Sequence, residues 1–301
     1  MLQLPGKWLQ ALKVAGFRAY YRIISALTWR GHVPPGPFVD LRIPVTEAAT
    51  IKARLYNNAL GANKPLIVYL HGGGWVIGDI KTHHPFCQAL SAATGCSVIA
   101  LDYRLAPEHV FPAAQDDCLA ATQWIARHTA QLGTCDGRLV IAGDSAGGHL
   151  ATCTCLEIDP ETRKSICGQV LIYPVTEHYT AGFASYVERA RGQTLTAGVM
   201  HWFWDTYLGG LSPNDASVQR AFPLRASGLL ASLPPALLVT AEKDPLRDEG
   251  KAYAEALEGA GVAIAYAHFH TAEHGFACSE GPHADFHDLM QRLTTWLAKL
   301  D

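Results

Sequence analysis

The architecture of this chain follows from five residues, Gly143-Asp144-Ser145-Ala146-Gly147. A short apolar run at residues 138–142 precedes them and predicts a strand, while residues 148–158 after them have helical character. A serine on a tight turn between a strand and a helix stands clear of the sheet, and glycines on both sides leave room for the turn. The pattern therefore predicts a strained turn that exposes the hydroxyl of Ser145, which makes Ser145 the first candidate for a reactive residue.

Strands and helices are predicted to alternate on both sides of this turn. Apolar runs of strand length occupy residues 39–45, 50–56, 65–70, 97–101, 138–142, 169–173, 236–240 and 263–268. Helical segments are predicted at residues 82–93, 113–129, 148–158, 248–259 and 284–300. Because strands that alternate with helices form parallel sheets covered on both faces, the sequence predicts an α/β fold with a mostly parallel central sheet of about eight strands.

Length and composition limit the classes of protein to which the chain can belong. Its 301 residues, of which 49% are hydrophobic and 17% charged, are enough for one large α/β domain with a substantial core. The formal net charge of -3 gives no general attraction to nucleic acid. No apolar run approaches the roughly 18 residues that a membrane-spanning helix needs, so no integral membrane segment is predicted.

Eight cysteines are spread along the chain without a C-x-x-C pair. This spacing argues against a zinc ribbon and against a disulfide scaffold. Reduced thiols are typical of cytosolic proteins, so the sequence predicts a cytoplasmic location, and a single disulfide stays open.

The N-terminal segment, residues 1–38, has the pattern of one or two amphipathic helices. Apolar side chains recur at helical spacing from Trp8 to Leu27, and no acidic residue precedes Asp40. The segment lacks the unbroken apolar centre and the small-residue cleavage site of a signal peptide. We expect it to pack on the body of the protein because its polar face is not densely basic, and attachment to a membrane surface is the alternative.

The alternation of strands and helices fails between residues 174 and 234. Inside this stretch a helical segment, residues 195–208, carries an unusual number of aromatic side chains, among them Trp202, Phe203 and Trp204. Adjacent residues on a helix point in different directions, so at least one of these rings can face an active site. An insertion of this size after a strand predicts a lid.

Two residues downstream of Ser145 can complete a catalytic group with it. A serine hydroxyl needs a base to remove its proton, and the base is normally a histidine that a carboxylate orients. Asp244 follows the strand predicted to end near Thr240, and His274 lies in the loop after the last predicted strand. Parallel sheets place active sites at the carboxyl ends of their strands, so Ser145, Asp244 and His274 are predicted to converge.

Other side chains compete for two of these roles. Glu242 and Asp248 are rival acids, and Asp244 could instead cap a helix, since Pro245 and a helical segment follow it. The rival histidines are His268, His270, His283 and His287. The pair His268 and His270, or the pair His283 and His287, could in principle hold a metal ion. Neither pair has a third ligand at motif spacing, so no metal site is predicted.

Three glycines, Gly72–Gly74, follow directly on the buried strand and His71. Acyl transfer generates a negatively charged oxygen, which hydrogen-bond donors already in place must meet. Glycines let the backbone come close to such an oxygen, and a plain turn does not need three in a row. The segment is therefore predicted to supply the amides of an oxyanion hole, because no G-K-[ST] or G-x-G-x-x-G accompanies it to indicate phosphate binding.

With these motifs the chain resembles the hormone-sensitive-lipase-like family of bacterial carboxylesterases, which have the α/β-hydrolase fold. Five segments carry the resemblance in family order, with the sequences HGGGW, YRLAPEH, GDSAGG, DPLRDEG and HGF. They begin at His71, Tyr103, Gly143, Asp244 and His274.

The resemblance implies a catalytic triad of Ser145, Asp244 and His274. It implies an oxyanion hole made of the amides of Gly73, Gly74 and Ala146. It also implies a helical cap, built from residues 1–38 and an insertion at about residues 180–215, over a catalytic domain of residues 39–301. Neither a metal nor an organic cofactor is expected in this family.

The sequence thus predicts a serine esterase that acts on small carboxylic esters through an acyl-enzyme. Four rings are candidates to close the substrate pocket and favour short acyl chains, namely Trp75, Trp202, Phe203 and Trp204, and the alternative for each is that it only packs the cap on the body. The alternatives are an amidase or lactonase with the same triad, and a catalytically inactive ligand receptor, against which the presence of His274 counts. A small-molecule ester is the expected partner, and a homodimer stays open.

Three charged residues of the matching segments are expected to serve the fold rather than the chemistry. Arg104 and Glu108, both in the YRLAPEH segment, are predicted to form an ion pair. Asp144, beside the candidate nucleophile, is predicted to face away from the substrate.

Overall fold

Buried apolar runs build the centre of the sheet. Every residue of Leu66–Leu70 and of Leu139–Asp144 is buried, because both strands are covered on two faces. The computed structural model describes residues 6–57, 63–132, 135–191, 194–279 and 281–300, and for residues 6–10 the backbone alone.

The described part of the chain contains eight strands and nine α-helices. The strands are β1 (Phe38–Pro44), β2 (Thr50–Tyr56), β3 (Leu66–Leu70), β4 (Val98–Asp102), β5 (Leu139–Asp144), β6 (Ile166–Ile172), β7 (Ala236–Lys243) and β8 (Ile264–Glu273). The helices are α1 (Gly6–Thr28), α2 (His84–Thr94), α3 (Ala113–Leu132), α4 (Ala146–Glu157), α5 (Pro160–Arg163), α6 (Ala184–Glu188), α7 (Ala197–Leu208), α8 (Arg247–Gly259) and α9 (Ala284–Leu297).

The strands form one sheet in the order β1-β2-β4-β3-β5-β6-β7-β8. β2 pairs antiparallel with both β1 and β4, and all the other neighbours are parallel. The predicted α/β fold, with a mostly parallel sheet of about eight strands, is confirmed. The carboxyl ends of β3, β5, β7 and β8 therefore lie along one edge, where the loops that carry the candidate residues meet.

Helices cover both faces of the sheet. α3, α4 and α8 pack on one face through buried side chains such as Ile125, Leu150 and Leu257. α2 and α9 pack on the other face through side chains such as Phe86 and Leu289. These two close-packed layers make the sheet a rigid frame for the loops at its edge.

β7 and β8 both extend farther than the sequence predicts. β7 continues past Thr240 to Lys243, and β8 continues past His268 to Glu273. Their pairing continues there through a register shift. The ends of both strands are polar, so they lack the apolar pattern from which strands were predicted. Asp244 and His274 consequently come directly after the ends of two neighbouring strands.

The N-terminal segment forms a single helix, α1, which packs on the rest of the protein along one face only. Val14 in the helix and Trp29 just beyond it are both 1% exposed. Outside this packed face, α1 carries four exposed apolar residues, Leu12, Tyr20, Ile23 and Leu27, of which Tyr20 also borders the cavity described below. No described helix, α1 included, combines the length and apolarity that crossing a membrane requires. Residues 1–5 and the side chains of Trp8 and Leu9 lie outside the described part.

The aromatic segment predicted as a lid contains helix α7. The side chain of Thr196 caps this helix by accepting a hydrogen bond from the amide of Val199. The ring of Trp202 meets the ring of Phe17 of α1 edge-on, with 5.7 Å between their centroids. α1 and α7 therefore pack against each other beside the sheet edge that carries the candidate residues.

Candidate active site

The turn between β5 and α4 holds Ser145 in a strained conformation. Ser145 has φ 54° and ψ -121°, a combination that residues other than glycine rarely adopt. Its amide donates a hydrogen bond of 2.8 Å to the carbonyl of Ile172. A Cβ at Gly147 would collide with the carbonyl oxygen of Leu70, so glycine is required for α4 to begin this close to β3. The surrounding backbone thus holds the turn, and Ser145 lies in the wall of a cavity.

Ser145, His274 and Asp244 form a chain of two hydrogen bonds. His274 Nε2 is 3.0 Å from Ser145 Oγ, and His274 Nδ1 is 2.7 Å from Asp244 Oδ2. An ionised carboxylate only accepts, so Nδ1 carries the proton that is donated to Asp244, and Nε2 accepts from the Ser145 hydroxyl. The arrangement can therefore move a proton from Ser145 to His274.

Asp244 combines this contact with a structural one. Its Oδ1 accepts a hydrogen bond of 2.8 Å from the amide of Leu246, at the entry to α8. The structural role weighed for Asp244 in the sequence is thus present on one oxygen, while the other oxygen faces His274. Asp244 is fully buried, so its orientation is fixed by packing as well.

The rival acids are engaged elsewhere. Glu242 forms ion pairs with Arg189 and Arg247 and lies 3.1 Å from His268 Nε2. Asp248 pairs with Arg247 and accepts from the amide of Ser185 at 2.8 Å. Neither carboxylate contacts His274 among the hydrogen bonds of the described residues.

The rival histidines are also separated from Ser145. His268 lies beside Glu242, and His270 and His287 are exposed. His283 Nε2 donates to the carbonyl of Phe276 at 3.1 Å. The described structure therefore brings His274 alone among the five candidates to the nucleophile.

The glycine loop after β3 lies beside Ser145 and lines the same cavity. Gly73 has φ 118° and Gly74 has φ 57°, and a Cβ at Gly74 would collide with the ring of Phe203. Within the described part of the chain, no group accepts a hydrogen bond from the amides of Gly73, Gly74 or Ala146. These amides can meet a negatively charged oxygen of a bound molecule.

Asp144 holds the glycine loop in place through a hydrogen bond. Its Oδ1 accepts from the amide of Gly72 at 2.9 Å and from the hydroxyl of Tyr69 at 2.6 Å. Burial acts to raise the pKa of Asp144, but attraction to His83 and the bond from Tyr69 outweigh it and lower the pKa below its usual range. Asp144 thus remains ionised and holds the glycine loop in place, although it also borders the cavity.

A cavity of about 540 Å³ opens above Ser145 and His274. Its walls are largely apolar, and α1 and α7 contribute most of the apolar side chains, namely Phe17, Tyr20, Tyr21, Ile24, Val199 and Phe203. The α1 residues in this wall were not predicted from the sequence. In the sequence these residues recur at intervals of three and four, as expected for one face of a helix. The exposed apolar residues of α1 recur at the same intervals, so the pattern alone could not identify the face that borders the cavity.

The cavity corrects the expectation for three of the four pocket rings. Among them, Phe203 alone lies in the wall. Trp75 is fully buried, stacks on Tyr207 with 4.4 Å between ring centroids, and donates from Nε1 to His149 Nδ1 at 3.1 Å. Trp204 is also fully buried and packs on Trp75, while Trp202 turns toward α1. The rotation of 100° per helical residue sends adjacent rings to different neighbours.

The expected ion pair between Arg104 and Glu108 is also corrected. Arg104 pairs with Asp117 at 2.7 Å, and Glu108 pairs with Arg18 of α1 at 2.8 Å. The segment between them is not helical, so a spacing of four residues does not bring the two side chains together. Arg18 also donates to the carbonyl of Val76 at 2.8 Å and so ties α1 to the residues after the glycine loop.

One buried group of metal-binding side chains occurs in the described part of the chain. It consists of His83, Asp144 and Cys278, whose ligand atoms all lie within 4.8 Å of one another. The sequence did not suggest it because its members are distant in the chain and match no ligand spacing. None of its members takes part in the contact between Ser145 and His274, although Asp144 borders the same cavity.

Comparison with known proteins identifies the fold and the relatives of the chain. A model of the α/β-hydrolase fold matches residues 67–278. The carboxylic ester hydrolase LipN of Mycobacterium tuberculosis is 39% identical over 252 residues, which cover 80% of this chain and 66% of LipN, just under two thirds of its length. An ethyl acetate hydrolase of Pseudomonas putida is 35% identical over 274 residues, which cover 89% of this chain and 84% of that protein.

Solved structures are similar over almost the whole chain. EstE1, a thermostable carboxylesterase from a metagenomic library, has a TM-score of 0.85 and 37% identity, and the match covers 95% of this chain and 96% of that one. An esterase from Pyrobaculum calidifontis has a TM-score of 0.85 and 36% identity, over 95% of this chain and 90% of that one. The chain therefore belongs to the hormone-sensitive-lipase-like family of carboxylic ester hydrolases, within the α/β-hydrolase fold.

Proposed function

We propose that this protein is a serine carboxylesterase that hydrolyses small carboxylic esters with short acyl chains. In this proposal Ser145 is the nucleophile, His274 the base and Asp244 the acid that orients it. The amides of Gly73, Gly74 and Ala146 form the oxyanion hole. The observation that carries the proposal is the unbroken chain of hydrogen bonds from Ser145 through His274 to Asp244 in the wall of an apolar cavity.

Acylation begins when Ser145 Oγ attacks the carbonyl carbon of the ester and His274 Nε2 takes the hydroxyl proton. The bond from Nδ1 to Asp244 holds the required tautomer and stabilises the imidazolium that forms. The three amides meet the negatively charged oxygen of the tetrahedral intermediate. When the intermediate collapses, the bond to the alcohol oxygen breaks, and His274 returns its proton to the departing alcohol.

Deacylation repeats these steps with water as the nucleophile. His274 removes a proton from the water as its oxygen attacks the acyl carbon, and the same amides meet the second oxyanion. Collapse breaks the bond to Ser145 Oγ, which recovers its proton from His274. The free acid leaves, and the enzyme returns to its initial state.

A substrate panel tests the reaction class. The purified protein should hydrolyse p-nitrophenyl butyrate faster than the matching anilide or a lactone of similar size. A higher kcat/KM for the anilide or for the lactone would assign the site to an amidase or a lactonase. Binding of all three without turnover would indicate a receptor.

The rate should fall as the medium becomes acidic. A histidine accepts a proton only while it is neutral, so protonation of His274 removes the base and leaves Ser145 unactivated. We expect log kcat/KM to decline with a slope of about one per pH unit on the acid side. The measurement is kcat/KM for p-nitrophenyl butyrate across the range in which circular dichroism shows the protein to be folded. A rate that stays flat down to the pH of unfolding would contradict a histidine base.

Short acyl chains should be preferred because Phe203 closes the cavity beside the oxyanion loop. Each buried methylene favours binding by up to about 0.8 kcal/mol until the wall is reached, after which the trend reverses. We expect kcat/KM for p-nitrophenyl esters from acetate to palmitate to peak at acyl chains of about two to eight carbons.

Phe203→Ala should move this peak toward longer chains, since it removes the wall. Trp202→Ala is the matched control, because it deletes a ring of the same helix that does not border the cavity. The same shift in both variants would mean that the cap as a whole, rather than Phe203, sets the limit. Activity that still rises at palmitate in the unaltered protein would contradict a small pocket.

The proposal extends to the domain division and the location. We propose that α1 and the insertion at about residues 180–215 form a cap over the catalytic domain, residues 39–301, since both contribute to the cavity wall. A cytoplasmic location is supported by the eight cysteines, all of which are free thiols.

A further inference from the structure

A buried histidine beneath the oxyanion loop has a nitrogen with no hydrogen-bond partner among the described residues. This atom is Nε2 of His83, a residue that is fully buried. The hydroxyl of Thr82 donates to the carbonyl of Asp79 at 2.9 Å, so it accepts from His83 Nδ1, which lies 3.0 Å away. The ring thus holds one proton on Nδ1, and the lone pair of Nε2 is free to bind either a second proton, which attraction to Asp144 favours, or a metal ion.

This lone pair faces a carboxylate oxygen at a distance that suits a metal. His83 Nε2 is 3.5 Å from Asp144 Oδ1, which is too long for a good hydrogen bond. Two ligands of a tetrahedral zinc ion, each about 2.1 Å from it, are about 3.4 Å apart. A shared proton or a cation between the two atoms would relieve the repulsion of their lone pairs.

Cys278 completes a set of three ligands. Its Sγ lies within 4.8 Å of both other ligand atoms and 3.6 Å from the hydroxyl of Tyr69. A sulfur and a nitrogen bound to one zinc ion are about 3.6 Å apart, so the thiol needs to move by about an ångström at most. Asp144 borders the cavity, as do Gly275 and Ser279 in the segment that carries Cys278, so this is the side from which a cation would reach the group.

We propose that His83, Asp144 and Cys278 form an inhibitory binding site for zinc and similar divalent cations. Nitrogen, carboxylate and thiolate donors together favour zinc over magnesium or calcium, which prefer oxygen ligands alone. On binding, the sulfur–hydrogen bond of Cys278 breaks and a zinc–sulfur bond forms, and the thiol proton goes to the buffer together with any proton on His83 Nε2. No change of oxidation state is involved.

Zinc at this position acts on the oxyanion loop. Asp144 Oδ1, which accepts from the amide of Gly72, is the oxygen that the metal would share. Drawing this oxygen toward the ion weakens the bond that holds Gly73 and Gly74 in position. The inhibition should therefore lower kcat with little change in KM, because the cavity that binds the ester is not occupied.

Cobalt tests the site by a reading that does not depend on activity. The full-length protein is freed of metal with a chelator and titrated with Co²⁺, which gives a sulfur-to-cobalt charge-transfer absorption when a thiolate binds it. We expect one equivalent to produce this band, and zinc to abolish it by displacement. Absence of the band at millimolar Co²⁺ would overturn the proposal.

Cys278→Ser should remove the band and raise the zinc concentration for half-inhibition on the order of tenfold or more. Cys118→Ser is the matched control, since Cys118 is a buried thiol in the core on the other face of the sheet. This variant should keep both the cobalt band and the sensitivity to zinc. His83→Gln provides an independent ligand deletion should the serine variant fail to fold. Equal inhibition of the Cys278 and control variants would place the zinc elsewhere, for example on His274.

The inhibition arm rests on the proposed esterase function, whereas the cobalt arm does not. A band without measurable ester hydrolysis would leave the metal site standing and reject the proposed activity. Ester hydrolysis without a band would support the proposed activity and reject the metal site.

Discussion

Replacing Ser145 by alanine is expected to lower kcat for p-nitrophenyl butyrate on the order of 10⁴-fold or more while the fold stays intact. The substitution deletes only Oγ, the atom that lies 3.0 Å from His274 Nε2. The turn itself is held by backbone contacts, such as the bond from the Ser145 amide to Ile172, which alanine keeps. Circular dichroism and the unfolding temperature should therefore remain close to those of the unaltered protein.

A double substitution sharpens this test. His274→Ala should cost about as much as Ser145→Ala, because each removes one half of the same proton transfer. Residues that act as a unit are not additive, so the double variant should be little worse than either single one. Losses that multiply in the double variant would mean that Ser145 and His274 act independently and would contradict the proposed mechanism.

Ser279→Ala serves as the matched control for this series. Ser279 is a second serine in the wall of the same cavity, and it contacts Tyr21 rather than His274. Its loss should change kcat by less than about tenfold. A fall as large as that of Ser145→Ala would show that any polar loss in the cavity disables the enzyme, and the case for a unique nucleophile would fail.

The fold could be predicted from sequence because its signals are local. Strands such as β3 and β5 are short apolar runs, and the glycines around Ser145 mark a turn that no other residue type permits. Placing such turns at the carboxyl ends of parallel strands is a matter of topology, which the alternation of strands and helices specifies. The positions of Asp244 and His274 at the sheet edge follow from this topology.

The walls of the cavity could not be predicted in the same way. Trp75 follows the glycine loop and Trp204 lies in the predicted lid, yet neither ring reaches the cavity. Trp75 packs on Tyr207, and Trp204 packs on Trp75. Phe17 and Tyr21, by contrast, reach the cavity from a helix more than 120 residues away in sequence from Ser145. Composition and spacing describe one segment at a time, whereas the direction of a ring depends on which helix packs against it.

The choice of acid among Glu242, Asp244 and Asp248 shows where structure adds most. In sequence the three differ by only a few residues around the end of β7. In the fold, Glu242 is drawn to Arg189 and Arg247, and Asp248 to Arg247 and the amide of Ser185. Arg189 comes from a distant part of the chain, and Arg247, although it lies beside Asp248 in sequence, pairs with Glu242 across the turn between β7 and α8, so sequence spacing does not show which acid stays free for His274.

Asp244→Asn is accordingly expected to lower kcat on the order of 10⁴-fold, nearly as much as the loss of the nucleophile. The amide of asparagine can donate to His274 Nδ1, which stabilises the wrong tautomer and places the proton on Nε2, where it blocks transfer from Ser145. The substitution is nearly isosteric, and its side-chain oxygen can still accept from the amide of Leu246, so the turn into α8 should survive. The measurement is kcat for p-nitrophenyl butyrate, with the unfolding temperature recorded in parallel.

Glu242→Gln and Asp248→Asn are the controls that decide between the acids. Each removes one charge from an ion pair with Arg247, which is only 18% exposed at its side chain, so a modest loss of stability is expected. Neither alters the 2.7 Å contact of Asp244 with His274, so kcat should change by less than about tenfold. If either control loses more activity than Asp244→Asn while remaining folded, then that carboxylate, and not Asp244, orients the base.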